Sequence, residues 1–192
     1  MIYYNSSPSF VIVAGPNGSG KSTYIAKFLS TTNNQHQTLN YDEIVKARKI
    51  TDPISISAGK ELYKRFNTYQ QNLTSFIYET TLSDSSNFLL NKIIEMQSAN
   101  WDVSLIYLWI SSYKVSIRRV KQRVSMGGHS VDESFLKQRY KRSIRNIISN
   151  YLPVCINVMC LNNETKEVST IFSKEDGKLT IHDESLYNVM SG

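Results

Sequence analysis

Apolar and polar residues change period along this chain in a regular order. The segment "FVIVAG", residues 10–15, is an unbroken apolar run that ends in glycine. Such a run marks a strand buried on both faces. "STYIAKFL" continues as a helix. "QHQTLNYDEIVKARKI" reads as a short strand, a turn and a helix that opens with acids. In "SAGKELYKRFNTYQQNL", Leu62, Phe66, Tyr69 and Leu73 fall at helical spacing. "SFIYET" is a strand, "SNFLLNKIIEMQSANW" an amphipathic helix, and "DVSLIYLWI" the most apolar strand. "KVSIRRVKQRVSM" is a helix stopped by Gly127 and Gly128, since glycine adopts the left-handed conformation at little expense. Ser130 with Glu133 three residues on forms a capping-box pattern. The helix it opens runs through "ESFLKQRYKRSIRNIISNYL", with an apolar stripe of Phe135, Leu136, Ile144, Ile147 and Ile148. Strands "INVMCLN" and "VSTIFS" follow. Alternating strands and helices predict an α/β fold, a three-layer sandwich with a mostly parallel central sheet flanked by helices. With no repeat and no linker composition, residues 1–192 are expected to form one domain.

Composition narrows the class without naming it. Hydrophobic residues make up 41% and charged residues 20% of the 192 positions, as in ordinary globular proteins. No apolar run approaches the roughly 20 residues that span a bilayer. The N-terminal "MIYYNSSPSF" lacks the basic start and apolar middle of a signal peptide. Cys155 and Cys160 have no metal-ligand spacing and are expected to be reduced, buried thiols. These features point to a cytoplasmic protein with no membrane partner. The net charge of +6 is local: ten Lys/Arg and two acids between Lys114 and Arg145 carry +8, leaving −2 for the remainder. That concentration indicates a site rather than a general surface attraction.

The chemistry begins at "GPNGSGKS", Gly15 to Ser22, whose spacing is that of a phosphate-binding Walker A loop. The loop of Gly15, Pro16, Asn17, Gly18, Ser19 and Gly20 wraps the backbone N–H groups of its non-proline residues around an anion, and the helix after it offers its positive end. Lys21 reaches the β- and γ-phosphates of ATP, Ser22 ligates Mg²⁺, and Thr23 completes the motif. Transport ATPases carry a similar loop, but they also need an apolar strand that ends in an acid. Here the best candidate, "LIYLWISS", ends in serines. A small phosphotransferase is therefore favoured over a motor.

Two strand ends supply carboxylates. Asp42 and Glu43 lie in "NYDEI", where Asp42 is placed to accept the proton of an attacking hydroxyl, or else to serve as a first-turn helix acid. Glu79 and Thr80 close "FIYET", where open α/β sheets bind ligands, so Glu79 can accept hydrogen bonds from an acceptor's hydroxyls. The basic segment places Arg119 and Arg123 on one helix face, and Arg139 and Arg142 on the next helix. Two such helices joined by "MGGHS" resemble a hinged basic lid, its guanidinium groups facing a transferring phosphoryl group. A nucleic-acid surface is the alternative, but Tyr140 and Tyr151 fall near the apolar stripe rather than on a base-stacking platform. His129 is not included in the catalytic set. The residues leave three destinations for the phosphate: a small-molecule hydroxyl, a nucleoside or nucleic-acid end, or none, in an ATP-binding switch.

The order "AGPNGSGKST", "NYDEI", "FIYETTLS", "SIRRVKQRVSMGGHSVDESFLKQRYKRSIRNI", "LNN" and "IHDESLY" resembles the short zeta-toxin-like P-loop kinases of bacteria, from about Phe10 to about Met190. The resemblance implies an ATP- and Mg²⁺-dependent kinase that phosphorylates the 3′-hydroxyl of the sugar in UDP-N-acetylglucosamine, with an antitoxin protein as partner. It implies Asp42 as the base, Glu79 and Thr80 as UDP-sugar ligands, and Arg123 and Arg139 as the ATP clamp, with Arg119 and Arg142 in reserve. The chain has "ETT" where that family has "EGT", and Asn162-Asn163-Glu164 where it has "DNS".

Overall fold

A computed structural model of the chain describes residues 7–31, 36–47, 56–127, 131–165 and 167–192. The elements run β1 (Ser9–Ala14), α1 (Lys21–Thr31), β2 (Gln37–Asn40), α2 (Tyr41–Ala47), α3 (Ile56–Gln71), β3 (Phe76–Thr80) and α4 (Phe88–Ser98). They continue with β4 (Asp102–Trp109), α5 (Tyr113–Ser125) and α6 (Glu133–Asn146). A π turn (Ile147–Tyr151), α7 (Leu152–Val154), β5 (Asn157–Asn162), β6 (Ser169–Glu175), β7 (Lys178–Ile181) and α8 (Glu184–Ser191) complete the order.

All seven strands join one sheet in the order β2-β3-β1-β4-β5-β6-β7. The first five are parallel, and β6 and β7 add to the edge as an antiparallel hairpin. The mixed α/β sandwich expected from the sequence is therefore present, with the hairpin strand β7 and helix α8 as additions. Side chains of β1 alternate between two cores. Phe10, Ile12 and Ala14 join the larger one, under α3, α4 and α8. Val11 and Val13 face the smaller one, closed by Ile25, Tyr24, Phe28 and Leu29 of α1. A strand covered on both faces has no polar position to spare, which accounts for its unbroken apolar sequence.

Three local expectations are corrected. Leu73 does not extend the stripe of α3: it sits beyond the helix end at φ 50° and is 64% exposed. Phe135 is 51% exposed, while Leu136 of α6 and Ile147 of the π turn after it are buried. Helix α6 is capped by Asp132, whose carboxylate accepts the Ser134 N–H at 2.8 Å. Gly128, His129 and Ser130 lie outside the described residues. Cys155 and Cys160 are both buried free thiols, and burial pushes the Cys155 thiol up to about 12. Among the described residues, no helix is long and apolar enough to cross a membrane.

The second basic helix is bound to the sheet at its C-terminal half. Buried Ser143 donates to the Thr81 carbonyl at 2.6 Å and pairs with the Tyr107 hydroxyl at 2.8 Å. Buried Asn146 donates to the carbonyls of Leu82 and Asp84 at 2.7 and 3.1 Å. Leu82, itself buried, adopts φ 51° between them. The helix then passes into the π turn just before Pro153, which has no N–H to continue an α ladder.

Phe66 of α3 is fully buried against the rings of Phe10, Phe76, Tyr78 and Phe88, with centroids 5.1–6.0 Å away. Phe66→Ala is expected to cost about 3–5 kcal/mol, the range for emptying a well-packed aromatic site. Denaturant unfolding with unchanged slope reads this. A loss under about 1 kcal/mol would mean that α3 does not anchor the core.

Candidate active site

Strand order sets where a ligand can sit. The chain leaves β1 toward β2 and β3 on one side, then crosses to β4 on the other, so a crevice opens beyond the end of β1. The loop of residues 15–20 fills this position and leads directly into Lys21, the first residue of α1. Two of its glycines are required sterically. A Cβ on Gly15, at φ 142°, would lie 2.4 Å from the Leu108 carbonyl oxygen. A Cβ on Gly20, at φ 92°, would lie 2.5 Å from Nδ2 of Asn163. Ser19 Oγ is buried without a protein partner, a hydroxyl donor left over within the loop.

Lys21 is buried and folds back on its own loop, donating from Nζ to the carbonyls of Gly15 and Pro16 at 2.9 and 3.0 Å. Burial lowers its ammonium from 10.5 to about 8; Glu79 and Asp42 oppose the shift and Arg123 adds to it. Ser22 and Thr23 are exposed on the first turn of α1. Ser22 Oγ lies 3.1 and 3.2 Å from the two carboxylate oxygens of Glu79. The acid missing from the end of β4 is thus present at the end of β3, on the other side of β1. Register puts it there: Val13 of β1 pairs with Glu79, and Glu79 pairs with Asn40 of β2. Burial raises the Glu79 carboxyl, while the Lys21 charge and the bonds from Ser22 and Asn40 oppose that rise.

Asn40 was not singled out by sequence. Its Nδ2 donates to Glu79 Oε2 at 2.8 Å, and its Oδ1 accepts the Asp42 N–H at 2.8 Å. One side chain therefore connects the β3 carboxylate to the start of α2. Asp42 is exposed there and lies close enough for its charge to act on both Lys21 and Glu79. The signal was legible in principle, since an Asn just before a helix is a favoured cap. Thr80 is half-buried, and its Oγ1 accepts the Leu82 N–H at 3.2 Å.

The arginines divide. Arg123, exposed in the last turn of α5, lies within electrostatic reach of Lys21. Arg139 is half-buried on α6, one turn from Arg142, which reaches Gln138 at 3.3 Å and buries its Nε. Arg119 turns both terminal nitrogens onto backbone carbonyls: Gly18 and Asn163 at 3.1 Å, and Glu164 at 2.7 Å. Of the neighbouring tyrosines, Tyr151 is buried and Tyr140 donates to the Ile110 carbonyl at 2.9 Å, so both serve the interior. Among the described residues, no three His, Cys, Asp or Glu side chains gather as a resident metal site. Ser22 and Glu79 together offer the hard oxygen donors that suit a magnesium ion arriving on nucleotide phosphates.

The family model for zeta toxin matches residues 3–185. Among solved structures, the AvrRxo1-ORF1:-ORF2 complex with ATP aligns at TM-score 0.68 and 15% identity, over 98% of this chain and 64% of that one. The chain thus spans less than two thirds of that neighbour. The PezAT chromosomal toxin–antitoxin system of Streptococcus pneumoniae aligns at 0.63 and 13% identity, over 97% of this chain and 80% of that one. Deoxyadenosine kinase from M. mycoides with bound dATP aligns at 0.53 and 17% identity, over 82% and 92%. At these identities the three structures share the fold.

The lowered Lys21 value sets a pH dependence. Folding brings this group from 10.5 to about 8. Below about 8 both folded and unfolded states hold the proton and the burial penalty is fully felt. Between the two values the folded chain sheds it first, so this residue's share of stability rises with pH. A phosphate beside Nζ reverses the shift. ADP binding at about pH 9 should therefore take up close to one proton, which calorimetry in buffers of different ionisation heat measures. Lys21→Ala should lose that uptake, and a wild-type protein that exchanges no proton would contradict the phosphate–Lys21 contact.

Proposed function

The chain belongs to the zeta toxin family, and we propose that it transfers the γ-phosphoryl group of ATP to a hydroxyl of a nucleotide-activated sugar of the UDP-N-acetylglucosamine type. One observation carries this reading: a phosphate loop, a half-buried carboxylate bonded to its serine and an exposed second carboxylate meet at the ends of β1, β3 and β2. A hydrolytic motor needs to hold only water, whereas this arrangement leaves Asp42 free to face an organic hydroxyl.

Lys21 leaves its own loop carbonyls and donates to the β- and γ-phosphate oxygens. Ser22 and Glu79 would hold the hydrated magnesium that accompanies ATP, and the ion would supply neutralising charge for the phosphates. Asp42 accepts the proton of the sugar hydroxyl as its oxygen bonds to the γ-phosphorus. The bond from that phosphorus to the bridging oxygen breaks, and ADP leaves with the electron pair. Arg123 and Arg139 offset the charge on the equatorial oxygens. Glu79 and Thr80 border the acceptor. The PezAT neighbour, a toxin–antitoxin system, supports an antitoxin protein as a partner.

The test is mass spectrometry of a UDP-sugar panel incubated with the protein, ATP and magnesium. A species heavier by one phosphate is expected. Asp42→Asn should cut its formation by about 10²–10⁴-fold, the usual range for a general base, while ATP affinity holds. If Glu43→Gln abolishes transfer and Asp42→Asn does not, the base is wrongly assigned. ADP without any phosphorylated sugar would exclude this acceptor class and direct the search to nucleosides and oligonucleotide ends.

A further inference from the structure

The phosphate loop is held from behind by three side chains that lie far from it in the sequence. Ser116 Oγ of α5 donates to the Asn17 carbonyl at 2.6 Å. Arg119 Nη1, one turn later, donates to the Gly18 carbonyl at 3.1 Å. Asn163 Nδ2, in the loop between β5 and β6, donates to the Ser19 carbonyl at 2.6 Å. Three successive carbonyls are thus each taken by a separate donor. Ser116 is fully buried, and Arg119 and Asn163 are tied to each other, since both Arg119 terminal nitrogens also reach the Asn163 carbonyl at 3.1 Å. The β5–β6 loop is itself fixed: Asn163 N–H donates to the Trp109 carbonyl at 3.0 Å, and Glu164 Oε2 accepts the Ser111 N–H at 2.9 Å.

Peptide geometry gives this arrangement its meaning. A trans peptide is planar, with C=O and the following N–H pointing opposite ways. Fixing the carbonyls of Asn17, Gly18 and Ser19 against α5 and the β5–β6 loop therefore directs the following N–H groups to the opposite side, where those of Gly18 and Gly20 can meet an anion. The Ser19 N–H closes a turn on the Pro16 carbonyl at 3.1 Å. An anion site made of backbone donors binds well only when those donors are already aimed, because ordering a glycine-rich loop on binding subtracts from affinity.

We propose that Ser116, Arg119 and Asn163 are positioning residues of the nucleotide site, a clamp that holds the outward carbonyls of the phosphate loop so that its N–H groups stay aimed at the β-phosphate. Arg119 then acts through the loop rather than on the γ-phosphoryl group, unlike Arg123 and Arg139. The inference rests on the loop binding nucleotide and is independent of which hydroxyl receives the phosphate.

ADP is the informative probe, because it carries the β-phosphate and lacks the group transferred. Ser116→Ala, Asn163→Asp and Arg119→Lys are compared with wild type for ADP affinity, for kcat and KM of ADP release from ATP and magnesium, and for ligand-free melting temperature. Each variant should weaken ADP and ATP by a similar factor, about 10-fold, the scale of one lost well-placed hydrogen bond to a charged or buried group. KM should rise with it, and kcat should stay within about threefold of wild type, the pattern of lost uniform binding. Unchanged ADP affinity in folded variants overturns the proposal. A fall in kcat with ADP affinity intact in Arg119→Lys overturns it for that residue and places Arg119 on the transferring group. Should Arg119→Lys fail to fold, Ser116→Ala, which removes a single oxygen, decides the matter. A wild type that binds ADP tightly but phosphorylates no UDP-sugar would refute the acceptor assignment alone.

Discussion

A loop can bind phosphate through its backbone only if its N–H groups converge, and they converge only if its carbonyls are satisfied elsewhere. Much of this molecule meets that one condition. Lys21 occupies the carbonyls of Gly15 and Pro16, and α5 with the β5–β6 loop occupies the next three. Without a ligand, the lysine serves as an internal donor, buried and lowered toward neutrality. In the proposed function a phosphate oxygen replaces those two carbonyls as the acceptor of the lysine, while the next three carbonyls keep their donors on α5 and the β5–β6 loop.

The sheet supplies the rigidity behind the loop. β1 lies between β3 and β4 and is covered on both faces, and in such a layer a change of one methylene is felt. Its parallel neighbours place their chemistry by register alone: Asn40, Glu79 and Val13 stand in one row across three strands. A one-residue slip in β3 would exchange Glu79 for Tyr78 or Thr80 and turn the carboxylate to the opposite face.

Much of this was legible in the sequence. The strand before the loop, the helix after it and the alternation of elements follow from period and from glycine, and the mixed α/β sheet with its helices is what they predict. The order of the strands was not legible, and the order is what brings Glu79 to Ser22 while β4 ends in serines. Asn40, Ser116 and Asn163 were missed for a related reason. Each is a common polar residue whose partner lies on another element, in two cases about a hundred or more residues away. Arg119 was read by its charge, as one of a basic set. In the fold its geometry matters more, because the two terminal nitrogens of a planar guanidinium reach carbonyls of both the phosphate loop and the β5–β6 loop at once. Leu73 and Phe135 fit their stripes by spacing, yet one lies past a helix end and the other faces out.

Helix α6 has a fixed end. Ser143 and Asn146 bind it to the backbone of Thr81, Leu82 and Asp84, the stretch that follows the β3 acid, and Arg142 and Arg139 lie next to this anchor and one turn before it. That joint is demanding: Asn146 satisfies two carbonyls at once, and Leu82 between them holds an uncommon left-handed backbone conformation. The arginine-bearing turn of α6 and the backbone that follows the β3 acid thus share one fastening made of a few buried hydrogen bonds.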